Sequence, residues 1–226
     1  MLRFPWCWCP QRAEECSEGR HRRAAPLWHP LSMVDRVPLP RFAVVDLETS
    51  GFSTRRHRIL QLGMVTVEAD GTVLDEWSTL VKLRWPLQRV GPTHVHGITR
   101  SMLRGAPPLD DVLAEFGERI EGSVFTAHNA SFDAGFLLRA ARRRPDDDPI
   151  RRGLDPRLCT LRMSRLLDPQ RRQSHRLGDL CERYDVTLDH PHDALSDAAA
   201  TAAVLPHLLA AHGITDSDQL KPFYVI

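Results

Sequence analysis

Phe42-Ala43-Val44-Val45-Asp46-Leu47-Glu48-Thr49 is the stretch that decides the predicted fold, because an apolar run leads directly into two acids. The run is typical of a buried β-strand. Since side chains alternate along a strand, Asp46 and Glu48 point to the same face as Phe42 and Val44. Two neighbouring carboxylates repel each other and are costly to bury, so a bound divalent cation is predicted. Two solvated acids at a strand end are the alternative interpretation.

The sequence on either side of this strand predicts a mixed β-sheet flanked by α-helices. Residues 59–67 and 72–81 have the pattern of two strands joined at Ala69-Asp70-Gly71, a turn sequence. A strand is also predicted at 123–127, and helices at 109–120, 131–143, 158–167, 177–184 and from about 193 onwards. Pro206 is expected to kink or shorten the last helix. Strands followed by helices interleaved with a further strand favour an α/β domain.

The ends of the chain differ in composition from the middle. Residues 1–38 are predicted to be a disordered or mis-annotated extension with Met33 as an alternative start, residues 39–215 the domain, and residues 216–226 a tail. No run of about 18 apolar residues occurs and no export signal is recognisable, so no membrane span is expected. The five cysteines are odd in number, which favours a reduced, cytoplasmic protein. Cys7, Cys9 and Cys16 lack a fourth ligand at zinc-finger spacing.

The charges nearly balance, with 30 Lys and Arg against 29 Asp and Glu. Net charge therefore neither indicates nor excludes a polyanionic partner. Twelve arginines and five acids lie between Arg139 and Arg176. They predict a phosphate-attracting face. A general preference of the chain for arginine, which is evident because the chain has only two lysines, explains them equally well.

Asp133 lies at a predicted junction between a strand and a helix, in His128-Asn129-Ala130-Ser131-Phe132-Asp133. Such junctions present polar side chains and free backbone N–H groups at a sheet edge, where phosphate and metal chemistry is common. An acid in the first turn of a helix is also favoured by the helix dipole without any further function. Both interpretations remain open for Asp133 from its position alone.

A third group of polar residues is His192-Asp193-Ala194-Leu195-Ser196-Asp197-Ala198. Asp197 precedes Ala198 of the predicted core-facing stripe, so it projects about 100° away from the line of that stripe. This position suits a ligand that faces a cleft, and it suits a solvated acid as well. A histidine near a helix start is more often a surface or capping residue than a base.

Together, in this order, the three motifs resemble the DEDDh (DnaQ-like) branch of the 3′-to-5′ exonucleases, the family of the proofreading epsilon subunit of bacterial DNA polymerase III. The segment His94-Val95-His96-Gly97-Ile98-Thr99 is similar to that family as well. The similarity covers residues 41–210. It implies a ribonuclease H-like fold and release of nucleoside monophosphates from nucleic-acid 3′ ends.

The resemblance also implies roles for individual residues. Asp46 would bridge two divalent cations, Mg²⁺ or Mn²⁺, with Glu48 and Asp197 completing one site and Asp133 acting on the second. His192 would take the proton of the attacking water, since histidine titrates near neutral pH. Residues expected around the terminal nucleotide are Thr49, His96, Asn129 and Phe132, although Phe132 is equally well explained as a core residue.

The predicted partner is nucleic acid with a free 3′ end, with DNA preferred over RNA. An exoribonuclease remains an alternative, because the contact to a 2′-hydroxyl is not readable from sequence. A non-catalytic module that binds nucleic acid or a polymerase is the alternative from another class. Gln219-Leu220-Lys221-Pro222-Phe223 loosely resembles peptides that bind the bacterial sliding clamp, whereas a hydrophobic segment that closes the domain explains it more simply.

Overall fold

The computed structural model describes residues 37–85 and 87–225. It contains one mixed six-stranded sheet in the order β3-β2-β1-β4-β5-β6. Strands β1, β4 and β5 are parallel, whereas β2, β3 and β6 run antiparallel to their neighbours. The strands are β1 Arg41–Thr49, β2 Ile59–Val67, β3 Val73–Leu80, β4 Ser123–Ala127, β5 Arg157–Cys159 and β6 Tyr224–Val225.

Helices cover both faces of the sheet, as expected for a sheet with parallel strands at its centre. The helices are α1 Thr93–His96, α2 Arg100–Arg104, α3 Leu109–Arg119, α4 Ala130–Ala140, α5 Pro149–Gly153, α6 Thr160–Leu167, α7 Leu177–Tyr184 and α8 Ala194–Ala211. A 3₁₀ helix follows at Ser217–Phe223. The predicted α/β class, with a mixed sheet flanked by helices, is confirmed.

The alternation of side chains along β1 divides the core into two parts. Ala43, Val45 and Leu47 pack on the side that carries α3, α4 and α5. Phe42 and Val44 pack on the opposite side, against α7 and α8. Asp46 and Glu48 continue this second row toward the carboxyl end of the strand. The strand therefore presents both acids on the α8 side of the sheet.

Helix α8 lies against β1 and β2. It continues through Pro206 for 18 residues, so the expectation that proline would shorten it is wrong. Its mean hydropathy of 1.3 and its length would allow it to cross a membrane, and it is the one such helix among the described residues. Half of it is buried inside the domain, and the core helix of a globular domain meets the same criterion.

The segment after α5 differs from the predicted helix over residues 158–167. Leu158 and Cys159 belong to β5, which pairs with Thr126 and Ala127 of β4, and the helix begins only at Thr160. The apolar run Leu158-Cys159-Thr160-Leu161 has no periodicity that separates a short buried strand from a helix. The prediction was therefore right for the second part of this segment and wrong for its start.

The C-terminal residues are part of the domain. Leu220 and Phe223 are buried in the α8 side of the core, and β6 pairs with β5. Residues 216–225 are thus not a separate tail, because their apolar side chains complete the core. The same burial supports the closing-segment interpretation of Gln219–Phe223 over a clamp-binding peptide. The predicted extension and the Cys7, Cys9 and Cys16 group lie almost entirely outside the described residues, as does Met33.

Candidate active site

The site lies where β1 extends past its parallel neighbour. β4 pairs with β1 only from Arg41 to Val44, so the last part of β1 has no strand on that side. Asp46 and Glu48 occupy this free end, with Asp46 opposite Gly63 of β2 and Glu48 opposite Gln61. Clefts at the carboxyl ends of strands are the usual ligand sites of α/β sheets. The fold therefore places two carboxylates at the mouth of a cleft.

Asp133 enters the same cleft from α4, the helix that follows β4. It is only 3% exposed and lies in the first turn of the helix. Hydrogen bonding from the backbone of Leu47, between the two acids of β1, lowers its pKa and partly offsets the effect of burial. The helix-dipole interpretation of this residue does not account for a carboxylate that faces β1. Asp133 is therefore assembled with Asp46 and Glu48.

The first turn of α8 brings Asp197 to the cleft. Asp193 caps this helix by accepting hydrogen bonds from the N–H groups of Leu195 and Ser196. The Gln61 side chain ties the cap to β2, since its Nε2 donates to Asp193 Oδ2 at 2.8 Å. The Oε1 of Gln61 accepts a hydrogen bond from the N–H of Ala194 at 3.4 Å. The start of α8 is thus fixed to the strand next to β1.

Glu48, His192 and Asp197 form a candidate metal site. One ligand atom of each lies within 4.8 Å of the others. His192 is exposed, and its backbone N–H donates to Asp197 Oδ2 at 3.2 Å. Its φ of 67° is unusual for a residue other than glycine, and such backbone conformations cluster at functional sites. The loop before α8 thus presents the imidazole at the rim of the cleft.

The electrostatics show how closely the carboxylates lie together. Burial raises the pKa of Asp46 well above its ordinary range, and the charges of Asp133, Asp197, Glu48 and Asp193 raise it further. Burial and the neighbouring acids raise the pKa of Glu48 to about 8. Burial raises the pKa of Asp133 to about 7. Divalent cations would relieve this repulsion, and the all-oxygen carboxylate set suits hard cations.

His96 has a buried polar atom that the protein leaves without a hydrogen-bond partner. The side chain is 7% exposed, and its Nδ1 accepts from the N–H of Ile98 at 3.0 Å. Nε2 therefore carries the proton in the neutral ring, and among the described residues no acceptor meets it in good hydrogen-bond geometry, although the backbone of Val90 lies close enough to raise the pKa of the ring. Burial lowers the pKa of His96, and the charge of His192 contributes to the shift, which places the ring near the cleft.

The other residues expected around the substrate lie at the same end of the sheet. The Thr49 hydroxyl donates to the carbonyl of Gly51 at 2.9 Å and so supports the turn after β1. Asn129 is exposed at the start of α4, and its side chain does not cap the helix. Phe132 is partly buried and packs against the core, with its ring 5.1 Å from that of Phe136. The core interpretation of Phe132 is therefore confirmed, and its contact with the terminal nucleotide stays a prediction.

Three residues of the site were not anticipated from the sequence. Phe52 is 90% exposed, and its ring meets that of Phe132 edge-on at 6.4 Å, so it presents an aromatic surface beside the cleft. An aromatic residue three positions after the end of the β1 motif was the available signal. Gln61 and Asp193 fix the start of α8 to β2 through the hydrogen bond between their side chains. No local pattern reveals such a contact.

Comparison with protein families supports the geometry. The family model described as Exonuclease (RNase T) matches residues 43–205. DNA polymerase III PolC-type of Bacillus subtilis is 35% identical over 183 residues, which cover 80% of this chain and 12% of that protein. The chain thus spans a small part of the length of the curated relatives that it matches.

Solved structures of exonucleases have a fold similar to that of this chain. Exonuclease X in complex with 5′ overhanging duplex DNA is 26% identical, with a TM-score of 0.60, and the match covers 82% of this chain and 99% of that one. Escherichia coli Exonuclease I in complex with a dT13 oligonucleotide has a TM-score of 0.66 at 19% identity, covering 77% of this chain and 42% of that one. The similarity to Exonuclease I is a similarity of fold. Both confirm the predicted ribonuclease H-like sheet.

Proposed function

Because this chain belongs to the exonuclease family, we propose that it removes nucleoside monophosphates one at a time from the 3′ ends of nucleic acid. The observation that carries the proposal is the convergence of four acids from β1, α4 and α8 on one cleft. Burial raises the pKa values of Asp46, Glu48 and Asp133, the charges of neighbouring acids raise those of Asp46 and Glu48 further, and divalent cations in the cleft would offset this cost.

Asp46, Glu48, Asp133 and Asp197 would hold two divalent cations. Mg²⁺ and Mn²⁺ fit best, because both prefer carboxylate oxygens to the softer ligands that select zinc or copper. When bound, such a pair stabilises both the attacking and the leaving oxygen of an in-line displacement at phosphorus. Asp46 is the central ligand of this assignment, since the charges of all three other acids act on it.

His192 would act as the general base. Its ring is at the rim of the cleft next to Glu48 and Asp197, and it is exposed to water. It accepts a proton from the attacking water while the oxygen of that water bonds to phosphorus. The bond between phosphorus and the 3′ oxygen of the preceding nucleotide breaks, and that oxygen takes up a proton from solvent water. The products are a nucleoside 5′-monophosphate and a chain shortened by one nucleotide, which ends in a 3′-hydroxyl.

The terminal nucleotide would be held by groups that the protein leaves available. His96 Nε2 is a buried donor without a protein partner and suits a phosphate or hydroxyl oxygen. Asn129 and the Thr49 hydroxyl oxygen offer further hydrogen bonds. Phe52, supported from behind by Phe132, offers a ring on which a base stacks.

DNA is the proposed substrate. The support comes from the relatives, which include DNA polymerases, and from Exonuclease X, whose solved complex contains duplex DNA. We also propose a cytoplasmic location, to which the buried free thiols of Cys159 and Cys181 conform. The sliding clamp is not part of the proposal, since Leu220 and Phe223 are committed to the domain's own core.

Digestion of matched oligomers tests the proposal. DNA and RNA of the same sequence, labelled at the 5′ end, are incubated with Mg²⁺, Mn²⁺ or EDTA. The expected result is a ladder of DNA fragments that shorten one nucleotide at a time with either cation and none with EDTA. Faster shortening of RNA would overturn the DNA preference. Intact substrate under all conditions would favour a non-catalytic binding module.

A further inference from the structure

A basic groove lies beside the acidic cleft and is not used by the chemistry described so far. It has a volume of about 910 Å³ and is formed by four segments of the chain. These segments are the loop between β1 and β2, the loop after β3, the start of α3, and the C-terminal end of α4 with the residues that follow it. The groove thus begins on the same helix that carries Asp133.

Positive charge dominates its lining. Eight of the lining residues are Lys or Arg, whereas Asp110 is the single acid among them. Arg139, Arg142 and Arg143 line it from α4 and the residues that follow, and Arg58 lines it from the loop between β1 and β2. The neighbouring charge of Arg139 lowers the pKa of Arg142, and Arg143 and Arg58 contribute to the same effect. These guanidinium groups are close enough to repel one another.

Two arginines of the groove are not balanced by an acid of the protein, unlike several arginines elsewhere on the surface. Arg41, Arg119 and Arg151 each form an ion pair with an acid. Among the described residues, Arg139 and Arg143 make no such pair, although both are exposed. Arg144, which also lines the groove, does pair with Asp148. The cluster suits a polyanion, which would neutralise charge that the protein itself leaves unbalanced.

The position of the groove relative to the cleft agrees with one strand of nucleic acid. Arg139 follows Asp133 by six residues on α4, which is about 9 Å along a helix axis at 1.5 Å per residue. At about 3.4 Å of helix axis per nucleotide, the spacing in a duplex, this is about three steps, and a more extended single strand takes fewer. Trp85 lies at the groove, 59% exposed, with Arg84 5.5 Å from its ring centroid. Exposed aromatics among cations are typical of surfaces that bind single strands.

We propose that this groove binds the phosphate backbone of the substrate strand within about three nucleotides of the 3′ end, an estimate that follows from the helix rise. The proposal rests on the function proposed above, since it takes the 3′ end to lie in the acidic cleft. A polynucleotide is favoured over an acidic protein because the groove and the cleft share α4. The groove would hold the strand while the terminal bond is cut.

Binding measurements without catalysis test this inference. The affinity of a fluorescent 20-nucleotide single-stranded DNA is measured in EDTA at several salt concentrations. Wild type is compared with Arg139→Gln/Arg143→Gln. The matched control is Arg41→Gln/Arg183→Gln, which removes the same charge at exposed positions outside the groove lining. Thermal unfolding of all three proteins shows whether each is folded.

The groove variant is expected to bind about tenfold more weakly, with a salt slope smaller by about 1.4, since each phosphate contact on a single strand contributes about 0.7. The control should bind within about twofold of wild type. Equal weakening by both pairs would overturn the proposal, because net charge would then explain binding. Displacement of the DNA by polyglutamate at equal charge would also overturn it and indicate an acidic protein partner.

The outcome is separable from that of the proposed function. If wild type shortens DNA and the groove variant binds like wild type, the proposed function stands and the groove proposal is wrong. If wild type has no nuclease activity and only the groove variant loses affinity for DNA, the groove proposal stands and the proposed function is wrong. A matched RNA oligomer distinguishes the two sources of the same phosphodiester backbone. Groove-dependent binding of RNA alone would overturn the choice of DNA.

Discussion

A methyl group on Gly63 would overlap the carbonyl of Ala194, so strand β2 and the first turn of α8 are in direct backbone contact. The same methyl carbon would lie 2.5 Å from the Leu195 nitrogen. Gly63 is also the partner of Asp46 across the two strands. The distance between β2 and α8 therefore sets how closely Asp197 approaches Asp46.

Replacement of Gly63 by alanine is expected to push α8 away from the sheet. The overlap is with backbone atoms, which cannot rotate aside as a side chain does. We expect a loss of stability of about 1–3 kcal/mol, the usual cost of overpacking a core. Mn²⁺ affinity, measured by calorimetry, should fall more than tenfold, an estimate of about 1.4 kcal/mol for the displaced Asp197.

Gly178→Ala is the matched control. Gly178 lies in α7, and a methyl group there meets nothing within 4 Å. Alanine is a better helix former than glycine by about 1 kcal/mol, so this variant should be as stable as wild type or more stable. Wild-type Mn²⁺ affinity in Gly63→Ala would refute the positioning role of this contact.

The pKa of Glu48 predicts how stability changes with pH in EDTA. Glu48 titrates near 8 in the folded protein and near 4.5 ordinarily. Between these values the folded state keeps a proton that the unfolded state has lost. The free energy of unfolding therefore falls as pH rises through this window. Glu48→Gln cannot ionise, so it should match wild type near pH 4 and become the more stable protein by pH 8.

Chemical denaturation at a series of pH values measures this difference. Glu118→Gln, an exposed change on α3, is expected to track wild type throughout. Addition of Mn²⁺ should stabilise wild type at pH 8, because a bound cation replaces the missing proton. A difference between Glu48→Gln and wild type that does not depend on pH would contradict the electrostatic account.

His192→Asn tests the general base. Asparagine tolerates positive φ better than most residues, so the backbone at φ 67° should be kept. The expected loss in kcat is about 10²- to 10⁴-fold, the range for removal of a general base, with little change in KM. His190→Asn, two residues away and also exposed, should retain wild-type kcat. Equal effects of the two changes would exclude a special role for His192.

Phe52→Ala tests the stacking surface. The ring is 90% exposed, so its removal should leave thermal stability unchanged. Loss of stacking on one base costs about 1–3 kcal/mol, which corresponds to an increase in KM of about 5- to 150-fold. Leu74→Ala removes another exposed apolar side chain, on β3, and serves as the control. An unchanged KM in Phe52→Ala would show that the ring does not contact the substrate.

The placement of Asp46 and Glu48 was predictable because it depends on one local rule, the alternation of side chains along a strand. The structure agrees with that rule from Phe42 to Leu47, where apolar side chains alternate between the two parts of the core. The assembly of Asp133 and Asp197 with them was predictable only through the family resemblance. Each of these two residues alone was equally compatible with a helix-capping or solvated acid.

Other features depend on contacts between distant segments. The need for glycine at position 63 arises from α8, which lies about 130 residues further along the chain. The strand at Leu158 and Cys159 forms because β4 is adjacent, whereas the local apolar run was compatible with a helix. Likewise, which of the many arginines gather in one groove depends on how α4 and two loops meet.

The most direct test of the central claim is the rate at which wild type and Asp46→Asn shorten a DNA oligomer labelled at its 5′ end, in Mg²⁺. Asp111→Asn, an exposed change of the same size on α3, is the control. The account predicts a 3′-to-5′ ladder for wild type and the control. It predicts a rate at least about 10³-fold lower for Asp46→Asn, since the central carboxylate of the proposed cation site is lost. A wild-type rate in Asp46→Asn would contradict it.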